Sequence, residues 1–156
     1  KEILVERLCN DLVIPNWKAV FQRLESCPFS VTLHDDVKRT LGSLSKYSLG
    51  LLSNTTIWTA LDHCALGLEE YIQCSILSCE VGAAKPDPKI FELAQMRMGF
   101  SPEELLYVGD TVKFDVDPAL SCGWRAVLLN RNGSKDISQA PIISSLDELP
   151  GAVMKM

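Results

Sequence analysis

Four short apolar runs constrain the fold of this 156-residue chain more than any other feature. They extend from Tyr47 to Ser53, Cys74 to Ser78, Leu105 to Gly109 and Arg125 to Asn130. None alternates cleanly between polar and apolar residues, so each run predicts a strand that is buried on both faces. Strands of that kind are typical of parallel sheets with helices on both sides.

Segments with helical spacing lie between these runs. The clearest begins with Asp87 as N-cap and Pro88 at the first helical position, and Gly99 ends it. Ser101 and Glu104 form a possible capping box before the third run. Other helices are expected from Thr56 to Ala65, from His34 to Leu44 and from Asp115 to Ser121, with a short helical turn within Ser144 to Leu149. Strand and helix alternate, so the sequence predicts an α/β fold with a Rossmann-like, three-layer parallel sheet.

Residues 1–30 have a different pattern. Leu4, Leu8 and Leu12 are spaced by four, which predicts a helix, and a second helix is expected between Pro15 and Pro28. No strand run occurs there. We therefore expect two domains, a helical segment over 1–30 and the α/β domain over 31–156.

Charge and cysteine content exclude several classes of function. The net charge is −5 and no basic run occurs, so we expect no nucleic-acid partner. No apolar stretch approaches the roughly 18 residues that cross a bilayer, so no membrane partner is expected either. The six cysteines form no CxxC pair, which favours reduced, buried thiols and a cytoplasmic location.

Polar residues follow three of the predicted strands at the point where each strand ends. Ser53 and Asn54 follow the first, Lys85 follows the second, and Asp110 and Asp115 follow the third. The carboxyl ends of parallel strands meet at one edge of the sheet, where ligands bind. A hydroxyl, a lysine and carboxylates suit a phosphate group and a hard cation such as Mg²⁺. Each residue alone also fits a structural role, for example Ser53 as a helix cap, but the set favours a binding site.

The segments around these residues resemble the motifs of the haloacid dehalogenase-like hydrolases. Leu51 to Thr55 resembles motif II, Ala84 to Phe91 resembles motif III, and Val108 to Thr111, followed by Asp115, resembles motif IV. The resemblance runs from about residue 32 to the end of the chain.

The resemblance implies a role for each residue. Ser53 would bind the transferring phosphoryl group and Lys85 would stabilise its charge. Asn54 would orient the substrate. Asp110 would ligate Mg²⁺, and Asp115 would ligate it through water or brace the loop.

At the level of the protein, the resemblance implies a Mg²⁺-dependent phosphomonoester hydrolase that acts on a small phosphorylated metabolite through an aspartyl-phosphate. The residues 1–30 would be the end of a helical cap, and 31–156 the core. Two alternatives stay open: a non-catalytic domain that binds or scaffolds, and a metal-free 2-haloacid dehalogenase. Gly109-Asp110 favours the phosphatase, because the dehalogenating members typically use a metal-free motif IV.

The nucleophile motif of the family, DxD after an apolar strand, is not found upstream of these segments. The only DxD is Asp115-Val116-Asp117, which belongs to motif IV and precedes Pro118. Because the chain starts at Lys1, we expect an upstream segment, or another chain, to supply the nucleophile and the central strand. This chain alone would then be inactive. Direct pairing of the strands 47–53 and 105–109 would contradict that expectation.

Overall fold

A computed structural model describes residues 16, 18–19, 22–23, 32–55, 66–134 and 137–155. The chain divides into two compact units, Lys1–Thr32 and Leu33–Met156, and almost all described residues belong to the second. Most residues of the helices predicted within residues 1–30, and all of the helix predicted from Thr56 to Ala65, lie outside the described residues.

The second unit alternates strands with helices. In chain order its elements are α1 (Val37–Ser43), β1 (Gly50–Ser53), β2 (Cys74–Leu77), α2 (Ser78–Val81), α3 (Pro88–Met98), a 3₁₀ turn (Pro102–Glu104), β3 (Leu106–Gly109), a π-helical turn (Val112–Val116), α4 (Asp117–Ser121), β4 (Arg125–Leu129), β5 (Ile142–Ile143), a 3₁₀ turn (Leu146–Glu148) and α5 (Leu149–Val153). None of the helices described here has the length and apolar character needed to span a membrane.

All strand pairs in the described residues are parallel, which confirms the predicted α/β class. β1 pairs with β2, with Leu52 opposite Ile76. β3 pairs with β4, which pairs in turn with β5. The four predicted runs contain β1 to β4, each shortened at one end. β5 was not predicted, because a two-residue strand has too few residues to show a pattern.

The longest described helix, α3, begins and ends as its sequence predicts. The Asp87 carboxylate accepts a hydrogen bond from the Lys89 N–H at 2.9 Å, and Pro88 occupies the first turn. Gly99 ends the helix in the left-handed conformation, with φ of 72°. The capping box between Ser101 and Glu104 also forms. These caps position α3 so that Ile90, Phe91 and Ala94 are buried.

The core under the strands is built around three aromatic rings. Phe91 is fully buried and packs edge-to-face against Tyr107 and Trp124, with ring centroids 5.5 and 5.6 Å away. Edge-to-face pairs of this kind add to the stabilisation from burial. Trp124 is therefore a packing residue of this core.

Asp36 does not cap α1 although it occupies the N-cap position. Its carboxylate instead receives two hydrogen bonds from the Arg131 guanidinium, at 2.8 and 2.9 Å. The Ser145 hydroxyl and the Leu146 N–H, both at 2.9 Å, donate to it as well. This buried cluster links the start of α1 to the segments that follow β4 and β5.

β1 and β3 belong to different sheets within the described part of the chain. β1 is paired on one side by β2, and β3 on one side by β4. The two sheets are neighbours, because the Tyr107 hydroxyl of β3 lies 3.2 Å from the Leu52 carbonyl oxygen of β1. The direct β1–β3 pairing that would contradict an additional strand between them is therefore not observed.

Candidate active site

The residues predicted to form a site lie at the carboxyl ends of β1, β2 and β3. Ser53 is the last residue of β1 and Asn54 follows it. Lys85 lies in the loop between α2 and α3, and Asp110 follows β3 directly. Asp115 lies in the π-helical turn after β3. The parallel strands thus deliver these side chains to one edge of their sheets.

Lys85 and Asp115 form a buried ion pair. The Lys85 Nζ lies 2.6 Å from the Asp115 Oδ1, and the two side chains are 13% and 3% exposed. A pair with so little solvent is screened weakly, so the attraction between the two charges is strong and each charge requires the other. The pair links the loop after β2 to the turn after β3.

The Asp115 carboxylate is fully occupied by protein donors. Oδ1 receives the Lys85 ammonium and lies 3.2 Å from the Tyr107 hydroxyl. Oδ2 accepts the Thr111 N–H at 2.9 Å and the Thr111 hydroxyl at 2.5 Å. Burial raises the pKa of Asp115, but the hydrogen bonds from Lys85 and Thr111 outweigh it and hold the pKa below its ordinary value. Asp115 is therefore an ionised carboxylate whose two oxygens both accept hydrogen bonds from the protein.

The backbone of the π-helical turn places Asp115 over the end of β3. The N–H groups of Asp115 and Val116 both donate to the Thr111 carbonyl, at 3.0 and 3.2 Å. A β-carbon added to Gly109 would lie 2.4 Å from the Asp115 β-carbon. Glycine at position 109 is therefore required for this close approach.

Asn54 holds the backbone of Lys85. Its Nδ2 donates to the Lys85 carbonyl and its Oδ1 accepts the Lys85 N–H, both at 2.8 Å. Both bonds fix the loop from which the Lys85 side chain extends, and they leave the second amide hydrogen of Asn54 for another acceptor.

Ser53 and Asp110 lie at the same ends of the strands, and their side chains make no hydrogen bonds within the described part of the chain. Ser53 is partly exposed and Asp110 is exposed. The charge of Asp110 contributes to raising the pKa of Tyr107, which places it within electrostatic reach of the ion pair. Both side chains are accessible to a ligand, whereas Lys85 and Asp115 are held in place.

Sequence reasoning missed Tyr107, Thr111 and Ser78 as contributors to the site. The Ser78 hydroxyl accepts a hydrogen bond from the Thr55 N–H at 2.9 Å and donates one to the Thr55 carbonyl oxygen at 3.1 Å. A hydroxyl inside or beside an apolar strand run could have indicated these residues, since a polar atom that is buried with the strand requires a hydrogen-bond partner.

The described residues contain no group of three histidine, cysteine or acidic side chains that could hold a metal ion. Asp110 directly follows β3 and has an exposed carboxylate, which fits Mg²⁺ because that ion binds proteins through one or two carboxylates and keeps several waters. Asp115 fits less well as a direct ligand, because protein donors occupy both of its oxygens.

Comparison with known proteins shows what this chain is similar to. The model of the haloacid dehalogenase-like hydrolases matches residues 7–123. The N-acylneuraminate-9-phosphatase of Homo sapiens is 31% identical over 133 residues, which cover 81% of this chain and 54% of that protein. The chain thus spans about half the length of this curated relative.

Two solved structures show the same fold. A HAD phosphatase from Thermococcus onnurineus superimposes with a TM-score of 0.73 at 34% identity, covering 78% of this chain and 58% of that one. A 2-haloacid dehalogenase from Pseudomonas syringae pv. Tomato DC3000 superimposes with a TM-score of 0.75 at 26% identity, covering 93% and 63%. Phosphatases and dehalogenases both occur among the similar proteins.

Proposed function

Because this chain belongs to the haloacid dehalogenase-like hydrolases, we propose that it carries the phosphoryl-binding and metal-binding part of a Mg²⁺-dependent phosphomonoester hydrolase. The observation that carries the proposal is the buried Lys85–Asp115 ion pair at the strand ends, together with the exposed carboxylate of Asp110 directly after β3. The names of similar proteins, such as N-acylneuraminate-9-phosphatase, support a small phosphorylated metabolite as substrate.

Lys85 would stabilise the charge on the transferring phosphoryl group. Its ammonium is held by Asp115 and by the Asn54 contacts to its backbone, so little reorganisation is needed when substrate binds. The partly exposed Ser53 hydroxyl would donate to a phosphoryl oxygen, and the remaining Asn54 amide hydrogen would orient the substrate.

Asp110 would be the direct carboxylate ligand of Mg²⁺, and Asp115 would brace the turn that presents Asp110. When bound, Mg²⁺ would neutralise charge on the phosphoryl oxygens. The division between the two acids follows from their contacts: Asp110 has an exposed carboxylate, whereas Asp115 accepts hydrogen bonds from Lys85 and Thr111.

The nucleophile would come from a strand supplied by an upstream segment of the same protein or by another chain. That strand would lie between β1 and β3, each of which has one edge without a strand partner in the described residues. An aspartate at its end would attack the phosphorus atom as the bond to the substrate's ester oxygen breaks, which releases the alcohol. Water would then hydrolyse the aspartyl-phosphate to inorganic phosphate and the free aspartate. Without it this chain would be inactive.

We propose that residues 1–30 are the end of a helical cap and that 31–156 form the core. A cap of this kind closes over the site and selects the substrate. We also propose a cytoplasmic location, which the free thiols of Cys74, Cys79 and Cys122 support. The expected burial of these thiols was wrong for the three described cysteines, because Cys79 is exposed and the other two are partly exposed.

The experiment that tests this function measures phosphate release from p-nitrophenyl phosphate by the full-length protein, with and without Mg²⁺. Release that requires Mg²⁺ is expected. A parallel assay of chloride release from 2-chloropropionate, without metal, tests the dehalogenase alternative, which the 26% identical structure keeps open. No release of phosphate or halide would contradict both enzymes and favour the non-catalytic binding domain.

A further inference from the structure

Tyr107 has a buried hydroxyl that the proposed reaction does not use. It lies on β3, and the residue is 9% exposed. The hydroxyl oxygen accepts the Lys85 ammonium at 2.8 Å and lies 3.2 Å from both the Asp115 Oδ1 and the Leu52 carbonyl oxygen. One hydroxyl therefore contacts the two members of the ion pair and the backbone just before Ser53.

The hydrogen bonds of the Lys85 ammonium show how the Tyr107 hydroxyl affects its orientation. The ammonium has three N–H donors. One binds the Asp115 carboxylate and one binds the Tyr107 hydroxyl. For the third, no acceptor is found among the residues that the structure describes. Two bonds fix the orientation of the group, and the third N–H is then available for a phosphoryl oxygen.

The Tyr107 hydroxyl is itself held rigidly. Its ring packs edge-to-face on Phe91, with centroids 5.5 Å apart, and tilted against Trp124 at 6.4 Å. Burial and the neighbouring Asp115 carboxylate raise the pKa of Tyr107 far above its ordinary value. The group therefore stays a neutral hydroxyl, which donates its single hydrogen and still accepts from Lys85.

We propose that Tyr107 is a positioning residue, which orients the Lys85 ammonium toward the phosphoryl group and thereby increases the rate of phosphoryl transfer. This inference rests on the proposed function and assigns to it a residue that acts through Lys85 without touching the substrate. An interaction that strengthens only as charge develops in the transition state changes kcat. An interaction that is equally strong with the bound substrate and with the transition state changes KM.

The test compares Tyr107→Phe with Tyr71→Phe in the full-length protein, using p-nitrophenyl phosphate. Tyr71 precedes β2, whereas the site lies beyond the carboxyl ends of the strands. For Tyr107→Phe we expect kcat to fall about tenfold with KM changed by less than about twofold, since a lost hydrogen bond to a charged group has an effect of this size. Tyr71→Phe should leave both constants unchanged.

A packing control separates orientation from general destabilisation. Phe91→Leu loosens the same aromatic cluster without removing a hydroxyl. It should lower the melting temperature more than Tyr107→Phe does, yet reduce kcat less. Equal kcat for Tyr107→Phe and wild type, or a loss of kcat that follows the melting temperature across both variants, would overturn the proposal.

A second measurement does not depend on activity or on the folding of Tyr107→Phe. 3-Fluorotyrosine placed at position 107 keeps the hydroxyl and reports on its surroundings by ¹⁹F NMR. Inorganic phosphate should shift this resonance, and Lys85→Met should abolish the shift, while 3-fluorotyrosine at position 71 should not respond. A resonance at position 107 that phosphate does not move would contradict the proposal. Absence of phosphatase activity in the unmodified protein would instead contradict the proposed function.

Discussion

Gly109 lies directly beneath the side chain of Asp115. An added β-carbon at Gly109 would come within 2.4 Å of the Asp115 β-carbon and 2.9 Å of its Oδ2. The carboxylate that pairs with Lys85 can therefore take its position only because residue 109 has no side chain.

Gly109→Ala is expected to displace Asp115 and weaken its hydrogen bonds to Lys85 and Thr111. Overpacking of this kind typically costs about 2 kcal/mol in the free energy of unfolding, which urea denaturation of the full-length protein would measure. Gly151→Ala is the matched control, because nothing lies within 4 Å of a β-carbon there and Gly151 is in a helix. It should be neutral or stabilising by up to about 1 kcal/mol. Similar destabilisation by both variants would argue against the steric explanation.

Lys85→Ala is expected to lower both activity and stability. Removing one partner of a buried pair leaves the Asp115 charge uncompensated, which costs about 3 kcal/mol in the free energy of unfolding. Loss of a group that stabilises developing charge lowers kcat by about 100-fold or more. Phosphate release and urea unfolding provide the two readouts. Lys89→Ala, an exposed lysine four residues away, serves as control and should change stability by less than about 0.5 kcal/mol.

Asp110→Asn should remove the Mg²⁺ dependence of phosphate release together with most of the activity. An amide keeps the shape of the side chain but lacks the charge that a hard cation requires. We expect kcat/KM to fall by about 100-fold or more at any Mg²⁺ concentration, with a melting temperature close to wild type because Asp110 is exposed. Asp117→Asn changes another exposed acid of the same segment and should retain the wild-type Mg²⁺ titration. Full activity of Asp110→Asn would exclude Asp110 as the metal ligand.

Asp36 is expected to make stability depend on pH in the acid range. Hydrogen bonds from the Arg131 guanidinium hold the pKa of Asp36 well below its ordinary value, although burial raises it. A depressed folded-state pKa contributes stability above the unfolded-state pKa of about 3.9, and this contribution is lost as the pH falls toward the folded-state pKa. Asp36→Asn should therefore cost about 3 kcal/mol near pH 7 and progressively less below about pH 4. Urea unfolding of both proteins from pH 7 to pH 2 provides the comparison.

The control for that series is Asp147→Asn, whose partner Arg39 lies in an exposed pair with side chains 62% and 48% accessible. Exposed ion pairs contribute little to stability. Asp147→Asn should leave the pH profile almost unchanged. A constant difference between Asp36→Asn and wild type down to pH 2 would show that titration of Asp36 does not control acid stability.

Local sequence patterns predicted much of the described fold. The continuous apolar runs located β1 to β4, because strands buried on both faces need no polar face. The capping pattern at Asp87, Pro88 and Gly99 predicted both ends of α3, because capping is satisfied by residues within one turn of each other. β5 and the π-helical turn could not be predicted in this way. A two-residue strand has no periodicity, and the position of Asp115 in the turn depends on its ion pair with Lys85 as well as on its bonds to the nearby Thr111.

The sequence by itself determined which residue types stand at the strand ends: Ser53, Asn54, Lys85, Asp110 and Asp115, in that order along the chain. Only the tertiary structure decided how they are used. In the structure, Asn54 hydrogen-bonds to the backbone of Lys85. Asp115 accepts hydrogen bonds from Lys85 and Thr111, whereas the carboxylate of Asp110 is exposed. The tertiary structure also brings Tyr107 to Lys85. Hydrogen bonds act over about 3 Å, so which polar atoms meet depends on how the strands and loops pack together, and spacing along the chain does not contain that information.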